Sequence, residues 1–376
     1  MTIETPEHLR AITPYVPGKP LEEAERERAI TFVKLASNEN PLGPSPKAVA
    51  ALHDACAGVN RYPDGGGHYL RHALAARHGM RPEQIVLGNG STELVEILAK
   101  AYLATGKGAV VSEQAFIMYS IAVRAMAAPL RSVPQKDDHH DLPAMAEACD
   151  AGTALVFIAN PNNPTGTYVG RPAFDAYFER VPKHVLTIID QAYFEYVEVP
   201  DYPDCLDYLR AGRSVVVLRT FSKIHGLAGL RIGYGVTSPE VTRTLEAVRS
   251  PFNTSAVAQK AALAALEDTA HVERSRCENA RGVNYLQREM ARRGISFLPT
   301  VANFILIRTA LPAADLYRRL LARGVIVRPM GAYGYPDRVR VSIGTEAENR
   351  RFLDALDQSL PPPEARSLLP LDDVIS

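Results

Sequence analysis

From about residue 45 to 260 the chain alternates between helical periodicity and short apolar runs rich in β-branched residues. Apolar positions recurring every three or four residues predict helices over 46–57, 67–78, 91–103, 117–127, 171–180 and 238–248. Compact apolar runs between them predict strands over 84–87, 109–112, 155–159, 185–190, 215–219 and 232–236. Strands alternating with helices imply an α/β architecture, a mostly parallel sheet covered on both faces. Such sheets bind ligands at the carboxyl ends of their strands. After Pro251 the pattern changes: helices over 255–267 and 269–293 lead into apolar stretches at 301–308, 325–328 and 339–343, with helices over 312–322 and 345–358. This part reads as a smaller α+β domain. The expected organisation is an N-terminal segment over 1–30 packed with the small domain, a large domain over 31–255, a small domain over 256–360, and a flexible tail over 361–376 opened by three prolines.

Composition narrows the field without naming a chemistry. The 376 residues suffice for two domains, and a formal net charge of zero recruits neither nucleic acid nor a membrane surface. Any anion site must therefore be built from local arginines. The four cysteines (Cys56, Cys149, Cys205, Cys277) lie far apart with no C-x-x-C spacing, as expected of reduced structural thiols. An acidic N-terminus without an apolar core does not read as a signal peptide, and no apolar stretch approaches the ~20 residues that span a bilayer. The expectation is a soluble, cytoplasmic protein.

The most informative residue is Lys223, in Thr220-Phe221-Ser222-Lys223-Ile224-His225-Gly226-Leu227-Ala228-Gly229-Leu230-Arg231, directly after a buried-strand pattern. An amine there, with hydroxyls one and three residues before it and an arginine eight after, suits pyridoxal phosphate. That cofactor needs an amine for its aldehyde, and cationic and hydroxyl partners for its phosphate. Taken alone, a Ser-Lys pair reads as a solvated lysine in a loop, and the rest of the chain overturns that reading. Gly88-Asn89-Gly90-Ser91-Thr92 opens a helix and offers an anion corner, or an ordinary N-cap. Asn160-Pro161-Asn162-Asn163-Pro164-Thr165-Gly166 forms a rigid turn at a strand's carboxyl end, able to hold the Asn163 amide over a pocket. Asp190 closes a buried strand, where a carboxylate needs a cation such as a pyridinium nitrogen, or caps a helix. Tyr193 stands three residues on, within reach of a ring oxygen. Phe116 could stack on a flat ring or simply fill core.

With these segments in order, the chain resembles the histidinol-phosphate aminotransferase family, fold-type-I pyridoxal-phosphate enzymes. The likeness runs from Thr13-Pro14-Tyr15 to the last helix, through Asn38-Glu39-Asn40-Pro41, Asn60-Arg61-Tyr62-Pro63, Asp190-Gln191-Ala192-Tyr193 and Arg340-Val341-Ser342-Ile343-Gly344-Thr345. The resemblance implies a seven-stranded large-domain sheet. It implies Lys223 as the cofactor-bonding lysine, Asp190 against the ring nitrogen, Asn163 and Tyr193 at the ring oxygen, and Phe116 on the ring face. Ser91, Thr92, Thr220, Ser222 and Arg231 would hold the phosphate. Tyr62 would reach the phosphate of a second subunit, making a homodimer with shared sites. Tyr15, Asn38, Arg328 and Arg340 would bind substrate. Two departures stand out: Gln191 where the family usually has glutamate, and Phe116 where tyrosine is common. Gln191 is expected to point away from the ring, and Phe116 to keep the stacking face.

The implied reaction is transamination between L-histidinol phosphate and 2-oxoglutarate, with glutamate as the partner amino acid. Arginine's planar fork suits carboxylate and phosphate alike, although a surface salt bridge is the bland alternative for Arg328 and Arg340. An aromatic amino-acid aminotransferase of the same fold is the nearest alternative, and a threonine-phosphate decarboxylase is a further one. A cofactor-sensing transcription regulator needs a helix-turn-helix module for which the segment before residue 30 is too short. The run Asp137-Asp138-His139-His140-Asp141 is expected to cap a helix, with no metal implied.

Overall fold

The computed structural model describes residues 3–10, 12–14, 18–27, 30–103 and 106–361. Its strands, in chain order, are β1 (Val33–Lys34), β2 (Ile85–Gly88), β3 (Gly108–Ser112), β4 (Leu130–Val133), β5 (Thr153–Ala159), β6 (Leu186–Asp190), β7 (Val215–Thr220), β8 (Gly233–Val236), β9 (Ser296–Leu298), β10 (Phe304–Arg308), β11 (Val325–Ile326), β12 (Arg328–Pro329) and β13 (Arg338–Ser342). A seven-stranded sheet has the order β2-β8-β7-β6-β5-β3-β4. Strands β3 to β7 run parallel, whereas β8 is antiparallel to both β7 and β2. The loop over 221–232 returns at the end of the sheet where it began, pairing Thr220 with Gly233. That reversal keeps Lys223 and Arg231, on one loop, at the carboxyl end of β7.

The sheet is buried on both faces because its central strands are apolar at successive positions. Val215 and Val217 belong to one core, with Leu70, Leu74 and Phe174 from helices His68–His78 and Arg171–Arg180. Val216 and Leu218 belong to the other, with Leu94 and Leu98 from helix Ser91–Leu103 and Leu245 from Pro239–Val248. Alternate side chains of one strand thus feed two helical layers. Helix starts follow local chemistry: Ser45, Ser238, Ser255 and Asp268 each accept a backbone N–H of the first turn, and Thr345 with Glu348 forms a capping box. Asp141 caps helix Leu142–Glu147 as the sequence implied, accepting from Ala144 N.

A second, antiparallel sheet of order β12-β13-β10-β9 packs against helices Thr269–Arg292, Ala313–Ala322 and Glu346–Asp357 around Ile305, Ile307, Val339 and Val341. The short β1 pairs in parallel with β11. Ala24, from helix Leu21–Glu27, clusters with Phe32, Ala36 and Ile326.

Several elements differ from expectation. The apolar run 325–328 serves two sheets, β11 beside β1 and β12 beside β13, because the chain switches partner at Val327. The strand expected over 301–308 begins at Phe304. Strand β4 gave no pattern of its own: it is an edge strand of four residues whose Arg131 and Ser132 are exposed. Tyr15 and residues 362–376 of the expected tail lie outside the described residues.

Candidate active site

The carboxyl ends of β5, β6 and β7 border a cavity of about 130 Å3. Its lining includes Ser91, Thr92, Phe116, Asn163, Asp190, Tyr193, Thr220, Ser222, Lys223 and Arg231, gathered from segments far apart in sequence. Every cofactor-side residue expected from the sequence lines it except Tyr62. A larger, open hollow of about 710 Å3 between Arg77, Glu195 and Arg276 contains none of them. Chemistry rather than size marks the site.

At one end Lys223 donates from Nζ to the Ser37 carbonyl at 3.2 Å and lies 5.6 Å from the Tyr193 ring centroid. Burial, then the neighbouring Arg340 and Arg231, lower its pKa to about 8, against an opposing pull from Glu39 and Asp190. Asp190 ends β6 and is 6 % exposed. Its Oδ2 accepts from the Tyr119 hydroxyl at 2.9 Å and its Oδ1 from Ala192 N at 3.1 Å. Both donors are neutral, so burial dominates and raises the carboxyl pKa to about 6. A cation placed opposite would be strongly favoured.

Asn163 sits on the turn after β5, whose Asn160–Pro161 bond is cis. The turn is tied down on both sides: Asn162 donates to Thr165 Oγ1 and the Gln114 carbonyl, and Asn160 exchanges two bonds with Val169. Arg340 on β13 donates to Asn163 Oδ1 and, at 2.9 Å, to the Ala36 carbonyl. This leaves the Asn163 NH2 as the end that can meet a ligand oxygen. Tyr193 accepts from Asn38 Nδ2 at 2.9 Å, so its own hydroxyl proton is available to the cavity. Burial raises the Tyr193 pKa to about 12 and keeps it a donor.

The opposite corner is cationic. Arg231, in left-handed backbone conformation, donates to Ser222 Oγ at 3.3 Å, while Thr220 Oγ1 accepts from Ser222 N. Ser91 and Thr92 begin their helix there, with first-turn N–H groups and the positive end of the helix dipole facing the corner. A methyl group on Gly90 would come within 2.3 Å of Arg231 Nη2. That glycine is a steric requirement for the arginine to lie across the corner. The arrangement fits a ligand carrying an anion at one end and a flat, protonatable ring at the other.

The substrate-side residues divide. Arg340 meets the cavity wall through its bond to Asn163, and Arg328 is its cross-strand partner, hence on the same face of the sheet. Asn38 is 1 % exposed and bonded at both ends of its side chain, to Tyr193 and Ser342. It therefore meets the cavity through Tyr193. Tyr62 is 83 % exposed, stacked on Phe252 at 4.7 Å and away from this chain's cavity. Gln191 bonds Tyr202, the Pro203 carbonyl and Arg219, none of which lines the cavity. The 137–141 run is structural: Asp138 meets Arg338 and Tyr335, and His140 donates to the Ala159 carbonyl. Tyr119 was missed by sequence reasoning. The available signal was a hydroxyl in the first turn of an otherwise apolar helix face, which needs a partner when buried.

Comparison with known proteins identifies the family. A family model described as aminotransferase class I and II matches residues 30–356. A histidinol-phosphate aminotransferase 2 of Pseudomonas fluorescens is 49% identical over 355 residues, covering 94% of this chain and 96% of that one. A histidinol-phosphate aminotransferase of Moorella thermoacetica is 48% identical, covering 94% and 92%. Among solved structures, histidinol-phosphate aminotransferase from Sinorhizobium meliloti in complex with pyridoxal-5'-phosphate superposes with a TM-score of 0.87 at 26% identity, covering 96% of this chain and 98% of that one.

Proposed function

The chain belongs to the class I and II aminotransferases, and on that premise we propose that it is a pyridoxal-phosphate-dependent histidinol-phosphate aminotransferase. It transfers the amino group of L-histidinol phosphate to 2-oxoglutarate, giving imidazole-acetol phosphate and L-glutamate. The observation that carries this reading is the convergence of a depressed lysine, a buried carboxylate and an arginine–hydroxyl corner on one cavity.

Bound pyridoxal phosphate supplies an aldehyde that condenses with amines and a pyridinium ring that draws electrons from the substrate's Cα–H bond. Lys223 provides the amine that tethers the cofactor and, once released, moves a proton at the substrate Cα. Asp190 holds the proton on the ring nitrogen. Asn163 and Tyr193 donate to the ring oxygen, and Phe116 covers a ring face. Ser91, Thr92, Ser222 and Arg231 hold the phosphate, with Thr220 bracing the Ser222 backbone. Arg340 binds the carboxylate of glutamate or 2-oxoglutarate, or the phosphate of histidinol phosphate, with Arg328 and Tyr15 at the distal end. Asn38 serves this pocket by orienting Tyr193.

The exposed Tyr62 completes the phosphate corner of a second copy, so the working unit is a homodimer with shared sites. Its setting is the cytoplasm, in keeping with four free thiols. Among the described residues no helix is long and apolar enough to cross a membrane.

Steady-state kinetics with purified protein test the substrate assignment. Histidinol phosphate is expected to show a higher kcat/KM than phenylalanine, and Arg340→Ala to raise KM for both glutamate and the keto substrate. A preference for phenylalanine would transfer the assignment to aromatic amino acids, and carbon dioxide release would point to a decarboxylase.

A further inference from the structure

Tyr119 lies in the first turn of helix Met118–Ala125, is 1 % exposed, and belongs to the core beneath the seven-stranded sheet. Its ring is stacked on Phe157 of β5, with centroids 5.1 Å apart, and meets Phe116 edge-on at 5.6 Å. Both of these ring contacts would be served equally well by phenylalanine. What phenylalanine would lack is the hydroxyl, which among the described residues donates to Asp190 Oδ2 at 2.9 Å. Burial and the adjacent carboxylate raise its pKa well above the ordinary value, so it remains a donor at any pH the protein meets. Asp190 Oδ1 is held separately by Ala192 N, so each oxygen has its own donor.

We propose that Tyr119 is a positioning residue: its core-anchored hydroxyl fixes the plane of the Asp190 carboxylate and sustains its charge toward the cofactor ring nitrogen. This rests on the assignment of Asp190 to that nitrogen. The other charged or titratable groups around Asp190 are Lys223 from the loop after β7 and Tyr193 from the turn after β6, with Arg340 of β13 and Tyr333 beyond them. Of these, Lys223 also favours the carboxylate, but through space and not by a bond to either oxygen. Tyr119 is thus the side chain that sets the carboxylate's orientation. Removing its hydroxyl leaves Asp190 buried with one donor fewer, and its protonation then occurs at higher pH.

The test is equilibrium binding of pyridoxamine 5'-phosphate, which has no aldehyde and so reports the ring and phosphate contacts without condensation at Lys223. Full-length apoprotein is compared as wild type, Tyr119→Phe, Asp190→Asn and the double variant across pH. Tyr119→Phe should bind about tenfold more weakly on the acid side, where its Asp190 is protonated and that of the wild type is not. The acid side of its binding profile should move to higher pH, and the double variant should bind no more weakly than Asp190→Asn alone. Phe157→Leu disturbs the stacked ring but keeps the hydroxyl, and should leave the acid edge in place. Wild-type binding by Tyr119→Phe at every pH, additive losses in the double variant, or an equal shift in Phe157→Leu would each overturn the proposal. If Asp190→Asn also binds as wild type, the ring assignment of Asp190 falls with it; if Asp190→Asn alone weakens binding, only the role of Tyr119 is lost.

Discussion

Lys223 has to be neutral to attack an aldehyde, and an ordinary lysine is almost wholly charged near neutrality. Here burial, Arg340 and Arg231 lower its pKa from 10.5 to about 8. A lowered lysine pKa means the reactive, neutral form accumulates as pH rises through that lower value. The rate at which pyridoxal phosphate condenses with apoprotein should therefore climb with pH to a plateau above about 8, followed by cofactor absorbance. A rate still rising tenfold per unit toward 10.5 would show an unperturbed amine. Arg340→Ala, which removes a nearby cation, should move the midpoint upward. At this scale the sequence was informative wherever a residue type is costly in its setting. A carboxylate at the end of an apolar strand, as with Asp190, or an amine after one, as with Lys223, announces a partner. Tyr119 gave a fainter signal because its ring is ordinary core, and only its hydroxyl has a task. The burial of Asn38 was hidden, since its partners Tyr193 and Ser342 lie 155 and 304 positions away.

Elements place these residues, and the loop between β7 and β8 illustrates how tightly. Gly226 follows Lys223 in that loop, accepts a positive φ of 68°, and donates to the Lys223 carbonyl at 2.9 Å. A Cβ there would sit 2.1 Å from the Gly43 carbonyl oxygen, a backbone atom that cannot swing aside. Gly212 has a similar φ of 75° but open space around it. Gly212→Ala should cost only the left-handed backbone penalty, about 1–2 kcal/mol. Gly226→Ala should cost clearly more, about 3 kcal/mol or above, and should also weaken cofactor binding. Denaturant midpoints of the two variants decide the matter, and equal losses would contradict the account. Continuous apolar strands such as β5 and β7, and helices with strong caps, were legible because one local signal determines each. Strand β4 was not, as its exposed middle residues remove the signal, and the reversal of β8 depends on where a loop returns rather than on composition.

Across the whole molecule, the two large sheets meet at the site. Arg340 of the antiparallel sheet bonds Asn163 beside the seven-stranded one, and Ser342, two residues on, bonds Asn38, which holds Tyr193. Under the proposed division into a large domain over 31–255 and a small domain over 256–360, the substrate arginines fall on the small one and the cofactor contacts on the large one. The proposed homodimer adds Tyr62, which stands exposed against Phe252 and has no role in its own cavity. Mixing Lys223→Ala with Tyr62→Ala should restore activity at limiting cofactor, because one site of each heterodimer then combines an intact lysine with an intact partner tyrosine. Mixtures no more active than the Tyr62→Ala protein alone would place Tyr62 outside the shared site. The central claim is a covalent one, and borohydride reduction of the cofactor-saturated protein followed by peptide mapping tests it most directly. The account predicts a phosphopyridoxyl group on Lys223; an unmodified Lys223 in fully loaded, reduced protein would contradict it.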